Sequence, residues 1–341
     1  ENLEKWVVGK TADEVKNIET RVNEEGYNVA VDEELFASCS ISLEAFQEAI
    51  VKACNDEKGS TFTAAPGSFT LGVSAISNST ESVSAADSED GNAMVKMYTE
   101  FGAAAVGSDG KILAALTDAI QPKITVSAEG EIVSKDYTAT KRELGDDYNM
   151  VKYSDATLEW FEQVEALEDY CVGKTPAEVA GIALDDAGKA TDADLIAGIT
   201  MPLPSFIDGV VQACNNARVS GAKEGDTLYL ESDSYLSDSS AAATADADGL
   251  AQCDTTAGAY TISADGVITD IELDCVQTKI NFNASGELTT AEGTTWTTKT
   301  DLEYDYHMQG ASPIGKEWFE QAEALEDWCV GKTIEEVVTM P

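Results

Sequence analysis

The stretch EDWCVGKTIEEV, Glu326 to Val337, decides how this chain folds. Nearly the same words stand at EKWVVGKTADEV (Glu4 to Val15) and EDYCVGKTPAEV (Glu168 to Val179). Gly-Lys-Thr suggests the tail of a phosphate-binding loop. Such a loop needs another glycine five residues earlier, so that backbone N–H groups can wrap the phosphates. Glu4, Glu168 and Glu326 stand there instead, and carboxylates repel phosphate. The residues before the motif read as helix rather than strand. Beyond the Gly-Lys pair every copy reads T-x-x-E: Thr11 with Glu14, Thr175 with Glu178, Thr333 with Glu336. That is a helix capping box. Pro176 takes the first helical position, where proline is favoured. Each copy therefore ends one helix, stops on a glycine and caps the next.

Working outward, the similarity extends well beyond the motif. Gly9, Gly173 and Gly331 are spaced by 173 − 9 = 164 and 331 − 173 = 158 residues. LEAFQEAIVKAC (Leu43 to Cys54) matches PSFIDGVVQAC (Pro204 to Cys214). Asp109 to Ile132 matches Asp265 to Leu288, and TKRELGDDYNM (Thr140 to Met150) matches TKTDLEYDYHM (Thr298 to Met308). A repeat this long is a domain rather than a solenoid turn. The expected organisation is 1–60 as the C-terminal helical part of a preceding unit, 61–221 as a complete unit, and 222–341 as a following unit truncated at its C-terminus. On this reading the chain is a piece of a longer array.

Within a unit, the runs FTLGVSAIS, MVKMYTEFGAAAV, KILAALTDAI and KITVS read as strands separated by turn words such as SDG and AEGE. Then Trp318, Ala322, Leu325 and Cys329 fall on one helical face, with Pro313 before the helix and Gly331 after it. Phe206, Val210 and Cys214 mark a further helix. The fold class is α+β: tandem repeats of a small antiparallel sheet covered by helices.

Composition narrows the function. The net charge of −42 over 341 residues repels nucleic acid and anionic lipid, so those partners are excluded. Hydrophobic residues make up 43%, enough to bury cores. No apolar run is long enough to cross a membrane as a helix. There are seven cysteines, no CxxC and one histidine, which argues against zinc and haem and for disulfides in an oxidising compartment. Cys54 and Cys214 are equivalent, as are Cys171 and Cys329, where the first copy has Val7. Compensation suggests the pairs Cys171–Cys214 and Cys39–Cys54. Cys253 and Cys275, on neighbouring strands, replace Val95 and Ala119 and suggest a third pair. Cys329 would then await a partner beyond Pro341.

Other constellations read as structure. The turn TADADGLAQCDT (Thr244 to Thr255) has Thr255 where a calcium loop needs a bidentate carboxylate. His307 is replaced by Asn149 in the first unit and has no nucleophile beside it. Trp160/Phe161 and Trp318/Phe319 read as core.

The order S-P-I-G-K-E-W…A-L-E-D…V-G-K-T, here SPIGKEWFEQAEALEDWCVGKT, followed in the first unit by DADLIAGITMPLPSFIDGVVQAC, resembles the PplA-type surface lipoproteins of Gram-positive bacteria. The resemblance covers both units. It implies an extracellular, cell-surface, tandem-domain protein that carries electrons rather than acting as an enzyme. FMN would be attached covalently by an ApbE-type flavin transferase, and redox partners would pass electrons to it. The transferase's usual target is D-x-x-S/T-G-A-T. Asp238-Ser-Ser-Ala-Ala-Ala-Thr244 keeps its aspartate, alanine and threonine but has Ala241-Ala242 for Ser-Gly. Thr244 is thus the candidate FMN anchor and Asp238 its presenting residue. The alternative reading is a structural repeat segment of an acidic surface layer, stalk or filament, touching adjacent repeats or copies of itself.

Overall fold

The computed structural model describes residues 20–22, 28–31, 60–61, 69–137, 139–223, 225–237 and 240–338. The first sheet is built on β4 (Phe69–Asn78). Its Phe69, Leu71, Val73 and Ala75 are buried on one face, and Gly72 and Ser74 lie on the other, the period-two alternation of an extended chain. β6 (Tyr98–Gly107) and β7 (Ile112–Ile120) form a hairpin beside it. The turn word SDG closes that hairpin with Gly110 at φ 78°, a left-handed conformation that favours glycine. The second sheet repeats the pattern with β11 (Thr227–Leu236), β12 (Gly249–Ile262) and β13 (Ile268–Phe282), all antiparallel.

One residue separates the two halves in form. Pro122 has no N–H to give a ladder, and there the first half breaks. β5 (Ala93–Lys96) ends before β6, and β8 (Lys123–Val126) begins after β7. Met97 N–H donates to Pro122 O at 3.1 Å across the break. β5, β8 and β9 (Ile132–Asp136) then make a separate three-stranded sheet. The matching Thr278 keeps its N–H, and β12 and β13 run on unbroken.

The two main sheets pack face to face. Phe69, Leu71, Val73 and Phe101 of the first meet Leu228, Leu230, Ala257 and Val276 of the second in one buried core. A second shared core joins Val95, Met97 and Ile124 to Ala251, Cys253 and Phe282. The expected units 61–221 and 222–341 therefore meet through their sheets. They also lend each other strands. β14 (Thr295–Trp296), late in the sequence, pairs with β4, whose other end is paired by β10 (Arg218–Val219). From the expected unit 1–60 the described residues include β1 (Thr20–Val22), β2 (Asn28–Ala30) with Val31 after it, and the first residue of β3 (Ser60–Thr61). β3 pairs with β11, at the edge of the second sheet.

Helices cover the outer faces. α1 (Lys141–Leu144) and α2 (Met150–Tyr153) lead into α3 (Trp160–Cys171), which lies on β7. α4 (Pro176–Ala180), α5 (Ala193–Ile196) and α6 (Pro204–Asn216) come next. α6 packs on β4 and β6 so closely that a Cβ on Gly72 would meet Ala213 O at 2.1 Å. In the second half, α7 (Lys299–Leu302), α8 (Trp318–Cys329) and α9 (Ile334–Val338) take the places of α1, α3 and α4, with α8 on β13. Trp160 and Trp318 are buried, and losing either ring would cost ~3–5 kcal/mol.

The repeated motif is a joint, as its sequence suggests. Gly173 (φ 80°) and Gly331 (φ 89°) end the long helices. Their N–H groups donate at 2.8 Å to Ile112 O and Ile268 O, which pins the turn to the start of β7 or β13. Thr175 and Thr333 accept from Glu178 N–H and Glu336 N–H at 3.3 and 3.1 Å, completing the caps. The lysines cap backwards: Lys174 Nζ donates to Tyr170 O at 2.6 Å, and Lys332 does the same to Trp328 O. A cation at a helix C-terminus is favourable.

The expected disulfides do not form among the described residues. None of Cys171, Cys214, Cys253, Cys275 and Cys329 stands in a disulfide. For Cys253 and Cys275 the register gives the reason. Cys253 stands opposite Thr278 and Cys275 opposite Thr256. An odd offset puts the two on opposite faces of the sheet: Cys253 in the core shared with Phe282, Cys275 in the core beneath Trp318. Cys171 and Cys214 do share one core, but burial pushes both thiols up to about 12. The thiolate that starts disulfide formation is thus scarce at neutral pH. Cys39 and Cys54 lie outside the described residues.

Candidate functional site

Thr244 lies in the connection between β11 and β12. This segment is pinned at its start: Ala241 and Leu250 exchange N–H···O bonds of 2.8 and 2.9 Å. Ala243 is buried, and its N–H donates at 2.9 Å to Gly130 O of the first half. Thr244 itself is exposed. Its N–H donates to Ala247 O at 2.8 Å, and its Oγ1 accepts from Ala247 N–H at 3.0 Å. The turn is therefore self-satisfied, a hydroxyl-closed loop of the kind threonine favours. Asp238 lies outside the described residues.

A flavin attached here would need the hydroxyl as phosphate acceptor, donors for the phosphate and a place for the ring. The exposed hydroxyl meets the first need. The others are not met by the described residues of this turn. The N–H groups of Ala243, Thr244 and Ala247 are already used, and Asp246 and Asp248 are exposed in the same turn, adding negative charge. Among the described residues no group of three His, Cys, Asp or Glu side chains is arranged to hold a metal ion. His307 is exposed at φ 60°, and Asn149 takes φ 57° at the matching place. Both residues end a short 3-10 turn in the left-handed region, which explains their interchange without chemistry.

The buried charges were not singled out by sequence reasoning. Glu168, on α3, reaches under β7 and accepts from Thr117 N–H at 2.5 Å. Arg142 pairs with Glu168 and donates from Nε to Thr117 O at 2.7 Å. Burial pushes the Glu168 carboxyl up, and the arginine pulls it back. Beside them Asp118 is pushed up to about 6 by burial. In the second half Glu326 accepts from Leu273 N–H at 2.7 Å, but Thr300 stands where the first half has Arg142. Arg218, in β10 between the halves, supplies the cation. It approaches Glu323 at 3.1 Å, Glu272 at 3.8 Å and Glu326 at 3.9 Å. That coverage is thin, and burial pushes Glu272 and Glu326 up to about 8. The signal was available: the chain has only three arginines, and two of them serve these carboxylates.

Lys141 sits in a box of rings. Its Nζ lies 4.7, 5.0 and 5.1 Å from the centroids of Tyr98, Tyr148 and Trp160, and it donates to Tyr98 Oη at 3.1 Å. Burial pulls it down to about 8. The box holds the chain's own lysine, so cation–π attraction here fastens α1 to the core rather than binding a ligand.

Neither family models, nor curated proteins, nor solved structures give a match to this chain.

Proposed function

We propose that the chain is a non-enzymatic structural segment of an extracellular, cell-surface repeat protein, its units set at a fixed angle to one another. The observation that carries this is reciprocity. Ala243 N–H of the second half donates to Gly130 O of the first, and Ala85 N–H of the first donates to Gly286 O of the second, both at 2.9 Å. Matching residues thus meet in both directions, as at a two-fold interface. Joined by shared cores, such a pair is a stiff rod element, and the acidic surface keeps it from self-precipitating. Thermal unfolding followed by calorimetry tests this. A single cooperative transition for the chain is expected; two transitions, one per half, would overturn it.

A second reading is favoured by the exposed Thr244 hydroxyl alone. An ApbE-type flavin transferase would transfer the FMN phosphoryl group from FAD to it, breaking the pyrophosphate bond and releasing AMP and the hydroxyl proton, and the bound flavin would supply one- or two-electron chemistry to redox partners at the surface. The chain's part would be only to present the hydroxyl on a rigid turn. Co-expression with such a transferase, followed by intact mass measurement, decides. Added flavin mass that Thr244→Val abolishes supports it; no added mass, or mass retained in Thr244→Val, removes it.

A further inference from the structure

On the outer face of the second sheet the described helices pack on β13, and none of them packs on β11 as α6 packs on β4. In the first sheet α6 lies across β4 and β6. Gly102 makes this possible, since a Cβ there would meet Gly209 C and O at 3.0 Å, and Ser74 Oγ donates to Gly209 O at 2.8 Å. The chain then leaves α6 and forms β10 on the edge of β4. In the second sheet, Gly258 holds the place of Gly102, on the face that also carries Tyr260. Its ideal Cβ has only Leu273 Cδ2 within reach among the described residues. α7 and α8 pack on β13, with Tyr260 of β12 in the same cluster as Trp318, whereas α6 lies across both β4 and β6. Yet Asp233 of β11 and Thr256 of β12, paired across that face, are each only 4% exposed.

We propose that this face of β11 and β12 is the docking surface for the segment Leu43–Cys54 of the same chain. Three observations converge on that occupant. Its sequence, LEAFQEAIVKAC, matches that of α6, with Phe46 at the place of Phe206, Ile50 at Val210 and Cys54 at Cys214. Phe206 and Val210 are the buried anchors of α6. The chain after the segment ends on the required edge: Ser60 and Thr61 pair with Leu228 and Thr227, the counterpart of Arg218 and Val219 pairing with Leu71 and Thr70. Few residues separate Cys54 from Ser60, as few separate Cys214 from Arg218, so the span confines the segment to this side of the sheet. The second sheet is thus completed by residues that precede the whole first unit in sequence. This inference does not depend on whether the chain is purely structural or carries flavin.

The test is to cut the connection. A protease site inserted between Ala65 and Pro66 of the full chain allows nicking after folding. Size exclusion with native mass measurement should then find both fragments together as a 1:1 complex of monomer mass. Separation of the fragments on nicking would overturn the proposal. A 2:2 complex would overturn the intrachain choice and assign the face to the segment of a second copy. Phe46→Asp gives an independent readout in the uncut chain by hydrogen exchange. Amides of β11 and β12 should exchange roughly tenfold faster, while those of β4 and β6 stay unchanged. Equal change in both sheets, or none, would count against the docking.

Discussion

Arg142 and Arg218 serve carboxylates at matching places, Glu168 and Glu326, but from different parts of the chain and at different depths. Arg142 keeps only 13% of its side chain exposed, beside the buried Glu168, and its guanidinium also satisfies Thr117 O. Removing one partner of a buried pair strands the other charge, at ~3–5 kcal/mol. Arg142→Ala is expected to lose that much in urea titration, and adding Glu168→Gln should recover part of it. Arg218 is 40% exposed, so water already screens its attraction to the three glutamates. Arg218→Ala should cost under ~1 kcal/mol. Equal losses for the two arginines would show that depth is not what separates them. Neither role was evident from local sequence. Arg142 comes two residues after a capping threonine and reads as an exposed residue of a short helix, whereas the strand it reaches lies more than twenty residues back. Thr175, by contrast, announced its cap locally, because the box closes within three residues.

Where β13 meets α8 the carboxylates belong to elements rather than to single residues. Asp270, Glu272 and Asp274 come from the strand, Glu323 and Glu326 from the helix, and Arg218 faces them from β10. Burial pushes Asp274 up to about 6 and Glu272 and Glu326 up to about 8, above the 3.8 and 4.5 of the free groups. Between those values the folded chain holds protons that the unfolded chain has released. Their contribution to stability is complete below the unfolded values and is lost as pH rises through about 8. The melting temperature should therefore fall steadily from about pH 5 to about pH 8.5. Self-repulsion in so acidic a chain acts in the same direction, so Glu326→Gln is the discriminating control: it should shrink the fall. An unchanged slope in that variant would place the effect elsewhere. At this scale much was legible in advance. β7 and β8 lie within the runs read as strands, β4 and β6 overrun theirs by one residue, and α6 and α8 keep to the apolar faces seen in the sequence. The break at Pro122 and the odd offset of Cys253 from Cys275 do not show in such runs. Both depend on which residue stands opposite which, and a single strand's periodicity carries no register.

At the scale of the molecule the repeat predicted the units 61–221 and 222–341, after the end of a preceding one at 1–60, but not that the two share cores. Alternation along β4 or β12 says that one face is buried, not what buries it, and the loan of β14 to β4 joins residues more than two hundred apart. The candidate flavin turn shows the same limit. Nothing in the words around Thr244 says that Ala243 is fastened to Gly130 of the other half. That fastening and its counterpart make the last prediction. Gly130 and Gly286 hold φ 74° and 68°, which strain any side chain there. Space is also missing: a Cβ on Gly130 would meet Ala243 Cβ at 2.9 Å, and one on Gly286 would meet Ser127 O at 2.6 Å and Ala85 Cβ at 2.8 Å. The two turns touch each other as well, since the Gly130 Cβ would also meet Ala284 Cα at 2.9 Å. Gly130→Ala and Gly286→Ala should each destabilise the chain by more than the ~1 kcal/mol of an unfavourable φ alone. Because both act on one interface, the double variant should lose less than the sum of the singles. It should also split the single calorimetric transition into two, as the halves come apart while each keeps its helix-covered core. If the losses add and one transition persists, the two turns are separate local features, and rigidity between the halves rests on the sheet core alone.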